Sequence, residues 1–148
     1  MTMLRISSLL LVVSCLGLAG CDEKLSSIAG PTPTLEPTFA SIQRDIFQTT
    51  DVAGRTACVT CHTNVGRNPA GGFNLVGDAY NQVLAPSSRK AGAIRVIPGD
   101  PANSYLLHKL KANADIVGVR MPQNGPPYLT DGQIRIMERW IEIGAPNN

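Results

Sequence analysis

One five-residue stretch, Cys58-Val59-Thr60-Cys61-His62, limits what this chain can fold into more than any other. Two thiols three positions apart, with an imidazole directly after the second, have the spacing at which a c-type haem is attached. Each thiol S–H adds across a vinyl C=C to form a thioether, and the histidine reaches the iron. Covalent attachment makes the cofactor part of the fold, so the surrounding chain has to supply apolar cover for it. Low-pKa dithiols and zinc sites use the same Cys-x-x-Cys spacing. A zinc site needs about four ligands, and His108 is the only histidine outside the motif. A thioredoxin-like dithiol sits in a βαβ frame, for which the flanking residues carry no signal.

At 148 residues and 43% hydrophobic content the chain has room for one small domain with appendages, not for two cores. Its formal charge is +2, with both signs scattered and aromatic content of only 5%. No basic run offers a footing for nucleic acid.

Residues 1–20 read as a targeting segment: Arg5 is the positive start, Ile6 to Leu18 an apolar run, and Ala19-Gly20 a small-residue end. The apolar run is too short to span a bilayer comfortably. Leu18-Ala19-Gly20-Cys21 resembles the bacterial lipoprotein box. That resemblance implies cleavage before Cys21 and acyl chains on its sulfur, which together hold a protein stably on a membrane. Asp22 resembles the signal for retention at the periplasmic face of a Gram-negative inner membrane. An ordinary secretory cleavage near Gly20 would instead leave Cys21 as a free thiol.

The four cysteines are then all used, Cys15 leaving with the leader, Cys21 taking lipid, and Cys58 and Cys61 taking haem. Both motifs require export. Residues 21–37 are rich in Ser, Thr, Pro and Gly, with Pro31, Pro33 and Pro37 opposing any helix. They read as a solvated tether that could reach roughly 50 Å at full stretch.

The domain occupies residues 38–148. Phe39, Ile42 and Ile46 fall at helical spacing, which predicts a helix from Thr38 to Gln48, with a turn from Thr49 to Arg55 leading into the motif. A loop from Asn64 to Asn74, a short helical segment from Gly77 to Leu84, and a loop from Pro86 to Gly92 follow. Ile94 to Ile97 is a brief extended run, too short to establish a sheet. Asp100-Pro101 starts a helix reaching Lys111, with Leu106, Leu107 and Leu110 on one face and Tyr105 and His108 pointing the other way. Residues 112–129 form a long Gly- and Pro-bearing loop. Thr130 and Gln133 form a capping box for the last helix, which Gly144 stops. Ile134, Ile136, Met137, Trp140, Ile141 and Ile143 share one half of its wheel.

A haem iron with His62 as one axial ligand has one position left, and what fills it separates electron transfer from small-molecule binding. Met121, Met137 and His108 are the candidates. Met137 lies mid-face on an apolar helix and reads as core packing; His108 reads as a surface histidine. Met121 lies in Arg120-Met121-Pro122, where the following proline keeps the backbone extended. A loop of that kind can hold a thioether over one face of a haem.

With the motif near the start, Met121-Pro122 fifty-nine residues after His62, and helices at both ends, the span from about Phe39 to Pro146 resembles a class I c-type cytochrome with one haem. Val96-Ile97-Pro98-Gly99-Asp100-Pro101, Ser104-Tyr105-Leu106, Arg120-Met121-Pro122 and Trp140 to Pro146 are similar to the small cytochrome domains of planctomycete-type and related bacterial proteins. In many class I members a Gly-Pro-Asn-Leu run follows the motif, and its backbone carbonyl accepts the proton of the ligating imidazole. The matching stretch here is Gly72-Phe73-Asn74-Leu75, without the proline. A carbonyl acceptor is expected between Pro69 and Phe73.

The resemblance implies an all-α fold of about four to five short helices around one covalent haem c, with long loops. Leu75, Arg120 and Trp140 are expected in the haem pocket, and Arg120, Arg95 and Arg67 are candidate donors to the propionates. Without haem the domain is expected to be largely unfolded. The implied role is one-electron transfer between redox partner proteins, not enzymatic chemistry on a small-molecule substrate. A labile sixth ligand would instead make a gas or peroxide sensor or enzyme. A third arrangement is a haem subunit fixed in a larger membrane complex.

Overall fold

The computed structural model describes residues 32 and 34–148. The leader, Cys21 and most of the tether lie outside the described residues; the described end of the tether is drawn into the fold, with Leu35 buried in the core and its N–H donating to Thr32 O at 3.0 Å. Within them the regular structure is helical, and no β-strand is formed. The extended run 94–97 makes one isolated antiparallel bridge, Pro86 with Ile94. No helix among the described residues is long and apolar enough to cross a membrane.

Thr38 caps the first helix, its hydroxyl accepting from Ser41 N at 3.2 Å. Helix α1 (Phe39–Ile42) widens directly into a π-turn over Gln43–Phe47. This is the expected helix with its second half unwound by one residue per turn, and it buries Phe39, Ile42, Ile46 and Phe47. Helix α2 (Ala79–Leu84) buries Ala79 and Val83.

The stretch after Asp100 differs from its expectation. Asp100 caps a 3₁₀ turn, Pro101–Asn103, which stops at Ser104, and helix α3 (Tyr105–Lys111) starts afresh. Ser104 is extended (φ −76, ψ 107). Its hydroxyl donates to Asp100 O at 2.8 Å and accepts from Ile97 N at 2.9 Å, so the side chain competes with helix continuation. Tyr105, expected outside, is buried. Its hydroxyl accepts from Val117 N at 2.9 Å and the Lys90 ammonium stands 5.0 Å from its ring. The flanking loops cover this face, which a wheel of the isolated helix cannot show.

Helix α4 (Asp131–Glu142) has both bonds of the capping box: Gln133 N to Thr130 Oγ1 at 3.2 Å and Thr130 N to Gln133 Oε1 at 2.9 Å. Ile134, Met137, Trp140 and Ile141 are buried as expected, whereas Ile143, at the C-cap, is exposed. Trp140 packs on Phe39 with ring centroids 5.8 Å apart, and Phe39 meets Tyr80 edge-on at 5.1 Å. Tyr80 Oη donates to Ala145 O at 2.9 Å, and Ala40 N donates to Asn148 O at 2.8 Å. The first and last helices are thus locked together, with one continuous core reaching from Leu35 to Ala145.

Candidate functional site

The approach to the motif is built around a buried ion pair. Arg55 is fully buried, and its Nε donates to Asp51 Oδ2 at 3.1 Å. Asp51 Oδ1 also accepts from the backbone N–H groups of Ala53 and Arg55, each at 3.0 Å. The remaining guanidinium donors reach Ile46 O at 3.1 Å, Thr56 O at 3.3 Å, and Asp45 O and Thr49 O at 3.4 Å. Two of these carbonyls lie in the last turn of the first helix, which has no further backbone donor to satisfy them. Arg55 therefore ties the end of that helix to the residues leading into Cys58.

Cys58–Thr60 form a 3₁₀ turn, closed by Cys61 N and His62 N donating to Cys58 O at 3.2 and 2.9 Å. The turn keeps Cys58, Cys61 and His62 within one short bend. Both thiols are free, Cys58 partly buried and Cys61 exposed. Cys58 Sγ donates to Ile46 O at 3.5 Å, and burial pushes its thiol up to about 11, against the opposing pull of Arg55. It is a neutral thiol at neutral pH.

The loop after the motif folds back on it. Ala70 N donates to Cys61 O at 3.0 Å and Leu75 N to His62 O at 2.9 Å. Gly71 and Gly72 both have positive φ, +61° and +62°, a conformation that L side chains rarely adopt. This left-handed pair swings the chain so that His62 Nδ1 faces two carbonyls, Ala70 O at 3.0 Å and Phe73 O at 3.2 Å. The acceptor expected between Pro69 and Phe73 is therefore present twice, and the missing proline is no obstacle. Carbonyl oxygens only accept, so Nδ1 carries the proton and Nε2 keeps its lone pair. Burial holds the imidazole below its ordinary value; the two carbonyls oppose this, and the charges of Arg95 and Lys109 add to the lowering. A neutral imidazole with Nδ1–H fixed and Nε2 open is the form that ligates a metal.

Leu75 is buried beside His62 through that backbone bond, and its carbonyl accepts from Gln43 Nε2 at 3.0 Å. Met121 is partly buried against the core that also receives Cys58 and Val59. Its N–H donates to Lys109 O at 2.9 Å. Three residues on, Asn124 Nδ2 donates to Thr56 Oγ1 at 2.7 Å, which pins the Met121 loop to the chain two residues before Cys58. Lys109, whose Nζ donates to Val117 O at 2.9 Å, is near enough for its charge to act on His62. Val65, Val117 and Val119, on the loops that carry His62 and Met121, are 70%, 50% and 53% exposed.

The other expected pocket residues fall in different places. Trp140 lies in the helix-packing core, its Nε1 donating to Pro146 O at 2.9 Å. Arg120 donates to Leu110 O at 2.7 Å and stacks on Tyr128 at 4.1 Å; Arg67 is exposed. Arg95 is buried and bonded only to carbonyls. His108, expected in solvent, is half-buried between Asp115 Oδ2 at 2.9 Å and Ala102 O at 2.7 Å. Asp51, Arg55 and Lys109 also build the site without a motif to announce them; the acid and base four positions apart in the turn before Cys58 are the one trace of the first two in the sequence.

Two surface hollows lie elsewhere. One, of about 340 Å³, is lined by Lys90, Tyr105, His108 and Asp115 among others; a second, of about 410 Å³, by Lys111, Arg120 and the first turns of α4. Neither includes a motif residue or Met121. No group of three or more His, Cys, Asp or Glu side chains among the described residues is arranged to hold a metal ion by itself. The donor set at the motif, two free thiols and one imidazole with an open Nε2, fits a covalently attached haem, which supplies four equatorial nitrogens of its own. No protein-family model, curated protein or solved structure matches the chain.

Proposed function

We propose that the chain is a class I monohaem c-type cytochrome that carries single electrons at a membrane surface. The observation that supports this most directly is His62. Its Nδ1–H is fixed by two backbone carbonyls one residue after a turn bearing two free thiols. When bound, the haem supplies a reversible one-electron couple: a reduced redox protein gives up one electron, an oxidised one later receives it, and no bond or proton need change.

The chain's own residues do the rest. Cys58 and Cys61 would hold the ring by thioethers, and His62 Nε2 would bind the iron, its basicity raised by the Ala70 and Phe73 carbonyls. Met121 would supply a thioether to the iron from a loop pinned by Asn124 and by the Lys109 carbonyl. The exposed aliphatic side chains of Val65, Val117 and Val119 give apolar surface for the ring to cover, and Leu75 packs behind His62. Were His62 and Met121 both to hold the iron, a substrate would find no free site on it, and the methionine thioether would raise the potential relative to a second histidine. The leader, Cys21 and Asp22 support export and lipid anchoring at the periplasmic face of the inner membrane, with the tether letting the domain swing toward its partners.

Met121 is the residue that decides between carrier and ligand binder. The haem-loaded chain is expected to show the far-red methionine-to-iron absorption band and to take up carbon monoxide slowly in its reduced state. In Met121→Ala the band is expected to disappear and carbon monoxide uptake to accelerate, since the thioether that would occupy the site is gone. A wild-type chain that lacks the band and binds carbon monoxide as fast as the variant would move the small-ligand sensor or enzyme into first place.

A further inference from the structure

Among the described residues Arg55, Arg95 and Lys109 stand around the motif, and Arg55 alone of these has a carboxylate partner. Arg55 has Asp51 at 3.1 Å. Among the described residues neither Arg95 nor Lys109 has a carboxylate within ion-pair distance. Arg95 is the more telling of the two because it is only 7% exposed. Its Nη1 donates to Gln82 O at 3.1 Å and Ala85 O at 3.3 Å, its Nη2 to Gly72 O at 3.3 Å, and its plane lies 4.7 Å from the centre of the Phe73 ring. Phe73 in turn stands 5.2 Å from the His62 ring, centre to centre.

Carbonyl dipoles and a ring face solvate a guanidinium without cancelling its charge. A buried cation kept without a counter-ion is costly, and Arg55 shows that this fold can pair one. The position of Arg95 is specific: it grips Gly72 O and the face of Phe73, the segment that aims two carbonyls at His62 Nδ1.

We propose that Arg95 is a positioning residue that also sets the electron affinity of the site, its buried positive charge favouring the reduced state over the oxidised one. This rests on the haem reading above. The oxidised site carries one more positive charge than the reduced site, so a fixed buried cation behind His62 raises the energy of the oxidised state more. The electron comes from a one-electron donor protein and leaves to a one-electron acceptor; Arg95 neither gains nor loses a proton.

The test is the electron-exchange equilibrium of the haem-loaded full chain against a soluble one-electron reference couple. Arg95→Gln removes the charge while keeping planar donors, and is expected to shift the equilibrium about tenfold toward the oxidised form, which is about 59 mV for one electron. Arg95→Lys keeps the charge and is expected to stay within about threefold of wild type. Gln82→Glu leaves Arg95 in place and adds an acid beside one of its carbonyl partners. Should Arg95→Gln fail to accumulate, this variant carries the test, with an expected shift of at least about threefold in the same direction. Wild-type-like equilibria in Arg95→Gln or Gln82→Glu, or a loss in Arg95→Lys equal to that in Arg95→Gln, overturn the proposal while leaving the haem reading intact. A wild-type chain without covalent haem overturns the reading beneath both.

Discussion

Serine at both Cys58 and Cys61 is expected to yield a chain with no covalently bound haem and little folded domain. The two thiols are the only ones in residues 38–148, and each thioether needs the sulfur that serine lacks. Cys58 opens a 3₁₀ turn that Cys61 caps, with Cys61 exposed and Cys58 partly buried against Ile46 O. Single substitutions are expected to leave one thioether and a reduced yield. The folding consequence follows from size, because a domain of this length buries a small core and the ring's apolar faces add to it. Intact mass and the absorbance that survives denaturation give the check. Covalent haem persisting in the double variant would place the attachment elsewhere.

Arg55→Leu is expected to destabilise the haem-loaded domain by about 3–5 kcal/mol, the range for breaking a buried ion pair by removing one partner. The substitution leaves the Asp51 carboxylate buried without its cation. It also strips the donors from Asp45 O, Ile46 O, Thr49 O and Thr56 O. In a domain of this size that loss corresponds to a fall in Tm on the order of 10–20 °C. The double variant Asp51→Leu with Arg55→Leu recovers part of it, since no lone charge then remains inside. A fall of under about 1 kcal/mol in the single variant would show that water or a rearranged turn replaces the pair.

The parts of the fold that sequence makes legible are those governed by neighbours along the chain. Thr130 and Gln133 announce α4 because a capping box is a four-residue device, and Met137 and Trp140 are core because their helix is strongly two-faced. The need of His62 for a backbone acceptor is likewise chemical, so a carbonyl in the Pro69–Phe73 stretch could be expected, although the pair of left-handed glycines that delivers two could not. Legibility ends where distant segments meet. Tyr105 is buried by loops some twelve residues to either side of it in sequence, Ser104 divides a helix through bonds to Ile97 and Asp100, and Arg95 is drawn inside by carbonyls of residues 72, 82 and 85. Arg120 looks like a free cation beside Met121 in the sequence, yet it is engaged by Leu110 O and Tyr128. Charge alone does not say which arginine faces a site; the available backbone carbonyls do.

Covalent attachment of one haem at Cys58 and Cys61 is measured on the full chain, produced together with haem-attachment machinery, by its intact mass and its absorption after denaturation. The expected result is a mass increase of one haem and a thioether-haem spectrum that stays with the polypeptide through acid and organic extraction. A chain of unmodified mass whose colour is lost on extraction, or that has no colour at all, would contradict the account.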